Sequence, residues 1–329
     1  MRCDRVLSLL ACVFACMFAC VFASEAARAQ YPTRSVKLVV PYIAGSAPDV
    51  VARKLGERLG QLLGQALVIE NRPGAGGNLG SDFIAKAAPD GYTIGIATSS
   101  SHAGNMFLYK RVPYDPVRDF TAISLAVSVP SLMVVEADHP ARSVRDIVAL
   151  ARARPGALTY ASGGVGSIAH LSGAAFASLI GADMLHVPYK GAPEIVASVM
   201  AKQVITGFPT FPTAFPLVKA GKLRALATTG EQRNPALPEV PTMVEAYPPG
   251  YVLDGWFAVV GPAGMPAPIV ERLHAEVARM QREPAFVAKL TADGTEIRSS
   301  ASPAEFAGYL KAEQGKWEKV VRAAGATLD

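Results

Sequence analysis

The chain has 329 residues, 32 of them basic and 27 acidic, for a formal charge of +5, and half of its residues are apolar. This is the composition of a folded chain long enough for about two domains, which excludes a disordered one. No block of consecutive Lys or Arg forms the footprint that nucleic acid needs, so a dedicated DNA or RNA binder is excluded as a class.

All four cysteines, Cys3, Cys12, Cys16 and Cys20, fall in a stretch that opens with Arg2 and Arg5 and runs largely apolar from Val6 to Phe22. A charged start, an apolar core and the small-residue pair of Ala27-Arg28-Ala29 predict a secretory signal over residues 1–29, cleaved before Gln30. Leu9-Leu10-Ala11-Cys12 has the form of a lipoprotein box, but it leaves too short an apolar region before it. An uncleaved anchor is the competing reading, because the run approaches spanning length. Cleavage leaves 300 residues without a cysteine. That suits an oxidising compartment and removes disulfides, thiolate catalysis and Cys metal sites together.

Beyond the leader, short apolar runs alternate with segments of helical spacing. Lys37–Pro41 predicts a buried strand, Ile43–Ser46 a turn, and Pro48-Asp49 the start of a helix with Val51, Leu55, Leu59 and Leu62 on one face. Ala66–Glu70 predicts the next strand, Asn78 caps a helix through Ala88, and Tyr92–Thr98 is a third strand. This β-α-β-α-β order predicts a parallel sheet covered by helices. A second unit follows: a capping box at Ser143 and Asp146, a strand over Leu158–Ala161, a glycine-rich loop at Ser162–Gly166, and a helix capped by Ser167. Strands at His186–Pro188, Val204–Phe208 and Leu223–Thr228 alternate with a helix from Pro193. The remainder reads as helical, with Phe306, Leu310, Trp317 and Val321 on one stripe behind a capping box at Ser302 and Glu305.

The two glycine-rich turns each stand just before a helix, where first-turn N–H groups lack partners and the helix dipole is positive, so each is built to receive a carboxylate or phosphate. A tight turn and an N-cap would use the same residues for structure alone; two such turns at corresponding places in two α/β units favour binding. Enzyme signatures are mostly absent from the sequence. Leu79 stands where the dinucleotide pattern begun by Gly74-Ala75-Gly76 requires glycine, and neither a phosphate-loop lysine nor a Gly-x-Ser-x-Gly elbow occurs. His102, His139, His170, His186 and His274 form no His-x-x-x-His pair, so no metal site is expected, and no cofactor. His102 and His170 adjoin candidate loops and are kept as ligand candidates. Asp49, an acid in a helix first turn, is ordinary dipole complementation if it does not touch a ligand.

Taken together, Val40-Pro41-Tyr42, Glu70-Asn71-Arg72-Pro73-Gly74-Ala75-Gly76-Gly77, Pro89-Asp90-Gly91-Tyr92-Thr93, Pro113-Tyr114-Asp115-Pro116, Tyr160-Ala161-Ser162, His186-Val187-Pro188-Tyr189-Lys190-Gly191, Gly221-Lys222-Leu223-Arg224 and Gly255-Trp256 resemble, in number, order and spacing, the Bug family of periplasmic substrate-binding proteins of tripartite tricarboxylate transporters. The resemblance implies an α/β, two-lobed, Venus-flytrap (type II-like periplasmic-binding-protein) fold with two chain crossovers. Residues 30–131 and 257–329 would form one lobe and 132–256 the other. It further implies a monomeric receptor that closes on a small carboxylate and hands it to membrane permease subunits, without catalysis. A sensor for a membrane signalling partner and a secreted enzyme of unassigned chemistry are the alternatives.

The candidate ligand-binding residues are Ile43, Ala44, Gly45, Ser46, Ala47 and Asp49 on the first loop, Thr98, Ser99 and His102 after the third strand, and Ser162, Gly164, Val165, Gly166, Ser167 and His170 on the second loop. The ligand is expected to be held mainly by the backbone N–H groups of Ala44 to Ala47 and Gly164 to Ser167. Two departures from the family pattern stand out: Ser46 replaces a second glycine, and Ile205 replaces an acid in Lys202-Gln203-Val204-Ile205.

Overall fold

The structure, a computed structural model, describes residues 31–328; the expected leader and its cleavage before Gln30 lie outside the described residues. The first unit opens with β1 (Val36–Val40), α1 (Ala47–Leu63), β2 (Leu67–Asn71), α2 (Asn78–Ala85) and β3 (Thr93–Thr98). β1 pairs in parallel with both β2 and β3. The apolar stripe Val51, Leu55 and Leu59 of α1 is buried against this sheet, and the helix stops at Gly64, whose φ of 70° is the left-handed conformation that favours glycine. Asn78 does not cap α2. Gly77 holds the cap position, and the Asn78 side chain is buried, where it accepts from Asn105 Nδ2 at 2.7 Å and Tyr114 OH at 3.0 Å.

After the short helix α3 (Asn105–Leu108), the chain lays down β4 (Phe120–Val129) and crosses into a second sheet at β5 (Leu132–Glu136). There it forms α4 (Val144–Ala153), β6 (Thr159–Ser162), α5 (Ile168–Ile180), β7 (Leu185–Pro188), α6 (Ala192–Met200), β8 (Thr206–Gly207), α7 (Phe211–Lys219), β9 (Leu223–Thr228) and α8 (Met243–Ala246). It returns to the first sheet as β10 (Gly255–Pro262), then ends with α9 (Ala267–Met280), α10 (Pro284–Thr291), β11 (Glu296–Ile297) and α11 (Pro303–Ala323).

The first sheet has the order β11-β4-β10-β3-β1-β2 and the second β7-β6-β8-β5-β9. The expected parallel pairing holds for β1, β2 and β3, but each sheet as a whole is mixed. β10 runs antiparallel to β3 and β4, and β5 runs antiparallel to β8 and β9. The expected strand over Val204–Phe208 shrinks to two residues. Ile205 packs on the second core and donates its N–H to Thr159 Oγ1 at 3.0 Å, so the residue that replaces an acid serves packing here.

The C-terminal helix joins the two units. The expected stripe of α11 is buried, and Glu313 accepts from both Trp256 Nε1 at 2.9 Å and Trp317 Nε1 at 3.0 Å. Two buried indoles thus have their donors satisfied by one carboxylate, as burial of Trp requires. The same core takes in Leu171 of α5, so α11 covers the first sheet while touching the helix that follows the second loop. Among the described residues no helix is long and apolar enough to cross a membrane, and no His, Cys, Asp or Glu cluster fits a metal ion.

Candidate ligand site

The first loop leaves the carboxyl end of β1. Ser46 N–H donates to Ile43 O at 3.2 Å, closing the turn, and Gly45 has φ of 79°, where a side chain would be strained although nothing lies near its absent Cβ. Ser46 occupies the cap position of α1 but caps nothing: its hydroxyl donates to Ile43 O at 2.6 Å. Asp49 is 1% exposed and its carboxylate is engaged inward. It accepts from Gly45 N–H at 2.8 Å, Arg53 Nε at 2.9 Å and Asn71 Nδ2 at 2.9 Å. Asn71 Nδ2 also reaches Tyr42 O at 3.0 Å. Burial pushes the Asp49 carboxyl up, but the bonds from Arg53, Gly45 and Asn71 outweigh it and hold the group below the usual carboxylate range. Asp49 therefore braces the loop.

The second loop leaves the carboxyl end of β6 and is braced without charge. Ser162 Oγ accepts from Gly164 N–H at 3.0 Å and shares a 2.6 Å bond with His186 Nε2. Gly166 N–H donates to His170 Nδ1 at 3.1 Å, and Ser167 caps α5 by accepting His170 N–H at 3.2 Å. The His170 and His186 rings stack with centroids 4.1 Å apart, and both stack on Tyr160. Tyr160 can lie there because Gly173 leaves room on α5; a Cβ at that position would stand 2.2 Å from the Tyr160 ring. Burial, followed by the His186 ring beside it, pushes the His170 imidazole down to about 4, so at neutral pH it is uncharged and free to accept.

These bonds divide the expected donor set. In the run Ala44 to Ala47, the amides of Gly45 and Ser46 are used within the loop, and in the run Gly164 to Ser167 those of Gly164, Gly166 and Ser167 are used likewise. Among the described residues, the amides that keep no acceptor include Ala44, Ala47 and Asp49, with Ile43, at the first loop and Val165, Ile168 and Ala169, with Gly163, at the second. Pro48 has no N–H to offer. The exposed tips are Ile43, 65% accessible, and Val165, 41% accessible.

The segment after β3 divides. Thr98 Oγ1 meets Tyr42 OH at 2.8 Å and Ser101 Oγ at 3.1 Å, which ties it to the base of the first loop, and Ser99 is buried beside it. His102 points elsewhere. A π-helical turn over Ser100–Gly104 carries its ring into the core, fully buried and edge-on to Phe120 at 4.4 Å, with Nδ1 on Ser101 Oγ at 2.9 Å. Burial pushes this imidazole down to about 3. His102 is thus a core residue; adjacency to a candidate loop in sequence did not place it there in space.

A chain of contacts joins the two loops. Gly76 O accepts from Tyr42 OH at 3.2 Å and from Asn105 Nδ2 at 3.1 Å. From Asn105, α3 leads to Leu108, whose Cδ1 would lie 2.9 Å from a Cβ on Gly166. Tyr42, Asn71, Gly76 and His186 were not among the expected site residues. All four lie in segments that carry the family resemblance, yet none belongs to a motif with chemistry of its own.

The chain matches the family model described as tripartite tricarboxylate transporter family receptor over residues 51–326. It is 37% identical to the UPF0065 protein in the tcbD-tcbE intergenic region of Pseudomonas sp. strain P51, covering 91% of this chain and 90% of that protein. It is 34% identical to protein BugT of Bordetella pertussis, with 91% of each covered. Among solved structures, Rpa4515 of R. palustris with adipate is similar at a TM-score of 0.81 and 38% identity, covering 91% of this chain and all of that one. MatC of Rhodopseudomonas palustris with bound malate is similar at 0.76 and 30% identity, covering 88% of this chain and all of that one. The chain belongs to the tripartite tricarboxylate transporter receptor family.

Proposed function

We propose that this chain is a periplasmic receptor that captures a small carboxylate between its first and second loops and delivers it to the permease subunits of a tripartite tricarboxylate transporter. The observation that carries the reading is the similarity, at 38% identity over 91% of the chain, to a protein of the same fold whose structure holds adipate. The unpaired amides support it: Ala44, Ala47 and Asp49 on one loop and Val165, Ile168 and Ala169 on the other are neutral donors, most of them in the first turn of a helix. Such donors bind carboxylates without an arginine. In this reading residues 1–29 are a removed signal, residues 30–131 with 257–329 form one lobe, and residues 132–256 form the other. A ligand that uses donors of both loops favours the closed state, since only there are both sets in reach.

The test is a thermal-shift screen followed by calorimetry on the chain starting at Gln30, using adipate, malate, the neutral diamide of adipate and a diamine of equal length. A ligand that binds only the folded state raises the melting temperature by mass action. One or both acids should bind with a smaller radius of gyration in solution scattering at saturation, and the diamide and diamine should not. Preference for the diamide or the diamine over every acid would overturn the proposal.

A further inference from the structure

Ser162 Oγ and His170 Nδ1 each accept an amide of their own loop, and His186, on β7, lies outside that loop. What they share is the second loop's backbone. Gly164 N–H ends on Ser162 Oγ, which is fixed by His186 Nε2, and Gly166 N–H ends on His170 Nδ1. Both glycines have left-handed φ, 104° at Gly164 and 78° at Gly166, so the loop has a shape that glycine permits but does not by itself select. The two side-chain acceptors select it by engaging the amides on either side of Val165. The rings that supply this selection are locked against each other at 4.1 Å. Their outer edges line a cavity of about 490 Å³ against Ala323 and Ala324 of the C-terminal segment.

We infer that His170 and His186 are positioning residues of the ligand site: a stacked imidazole pair that fixes the second loop from behind, so that the amides of Val165, Ile168 and Ala169 are left facing an incoming carboxylate. This rests on the second loop being part of the ligand site. The brace itself is a statement about two glycine amides and can be tested without a ligand. His170 acts through Nδ1, and His186 acts through Nε2. The Oδ1 of an asparagine falls where a histidine Nδ1 stands, and the terminal amide of a glutamine falls where Nε2 stands. Phenylalanine keeps an aromatic ring that can stack and fill the space, though a somewhat larger one, while removing both nitrogens.

The experiment compares His170→Phe with His170→Asn and His186→Phe with His186→Gln in the chain starting at Gln30. It reads amide hydrogen exchange of Gly164 and Gly166 without ligand, adipate affinity by calorimetry, and melting temperature. Each phenylalanine variant should speed exchange at its own glycine about tenfold or more and weaken adipate about tenfold, the equivalent of one net hydrogen bond. The asparagine and glutamine variants should recover most of both. A residue that merely fills space would show the reverse order, since phenylalanine is the better filler. If a phenylalanine variant fails to fold, Ser162→Ala replaces it for the Gly164 half and should accelerate exchange there alone. Unchanged exchange in the phenylalanine variants, or equal losses in the phenylalanine and amide variants, would overturn the brace. Should wild type bind no acid while exchange behaves as described, the brace stands and the carboxylate reading falls.

Discussion

The two loops present amides at the same place, a strand end running into a helix, but hold them by different chemistry. The first is braced by a carboxylate: Asp49, nearly inaccessible, gathers Gly45, Arg53 and Asn71. The second is braced by a hydroxyl and two uncharged imidazoles. A charged acceptor makes the stronger hydrogen bonds. It also places a negative charge in the first turn of the helix where an anion is proposed to bind. Arg53, on the next turn and half exposed, offsets that charge through a 2.9 Å ion pair. The second loop meets no such conflict, because its braces carry no charge at neutral pH. The difference teaches that the open amides, not the bracing groups, are what the two loops have in common.

The largest effect is expected from removing the charged brace. Asp49→Ala deletes the acceptor of three hydrogen bonds and strands the Gly45 amide in a turn with left-handed φ. Bonds to a buried charge are individually strong but not additive, so a loss of about 3 kcal/mol in urea unfolding is expected. Adipate binding should weaken by more than about tenfold. Binding within about threefold of wild type would show that the first loop keeps its shape without Asp49, and the comparison would lose its charged half.

Acid separates the loops next, because the two braces fail in different windows. His170 stays neutral in the folded protein down to about 4, whereas the unfolded side chain takes a proton near 6.5. Between those values the unfolded state binds more protons, so stability falls as pH drops from 6.5 to 4 and its contribution is fully present at pH 7. Asp49 has its folded value below 3.8, so its contribution persists above 3.8 and is lost only as pH falls further. The second loop should therefore fail first on acidification. His102 titrates in an overlapping window, so the relevant quantity is wild type minus His170→Asn. That difference should change by on the order of 3 kcal/mol between pH 7 and pH 4. A flat difference would mean that His170 takes up its proton without leaving the loop.

The fold was legible in the sequence where a single element speaks for itself. The stripe on α11, the capping box at Ser143 and Asp146, and the glycine turns before helices all follow from local spacing. β4 and β10 were not legible as strands of one mixed sheet: β10 is buried at every position and so shows no alternation, and its antiparallel pairing to β4 joins Gly255 to Val129 across more than a third of the chain. The site divides in the same way. Ala44 to Ser46 and Ser162 to Ser167 announce themselves as turns, but Asn71 lies 22 residues from Asp49 and His186 lies 24 from Ser162. At that separation no periodicity signals a contact; only the pairing of β1 with β2 and of β6 with β7 brings the partners together.

The smallest effect tests the caps. Ser46 and Ser167 occupy the same position, one residue before a helix with extended backbone. Their hydroxyls do different things. Ser167 Oγ accepts from His170 N–H, a first-turn donor of α5 that would otherwise lack a partner, so Ser167→Ala should cost about 1 kcal/mol. Ser46 Oγ donates to Ile43 O in an exposed turn whose backbone bond from Ser46 N–H already closes it, so Ser46→Ala should cost only a few tenths of a kcal/mol. Because no first-turn amide of α1 depends on the Ser46 hydroxyl, adipate affinity should stay within about twofold in Ser46→Ala. Urea unfolding of the two variants side by side checks the stability difference, and calorimetry the affinity. Equal losses would mean that Ser46 swings round to cap α1 in solution, which would take the Asp49 amide out of the donor set and leave the first loop closed in the same manner as the second.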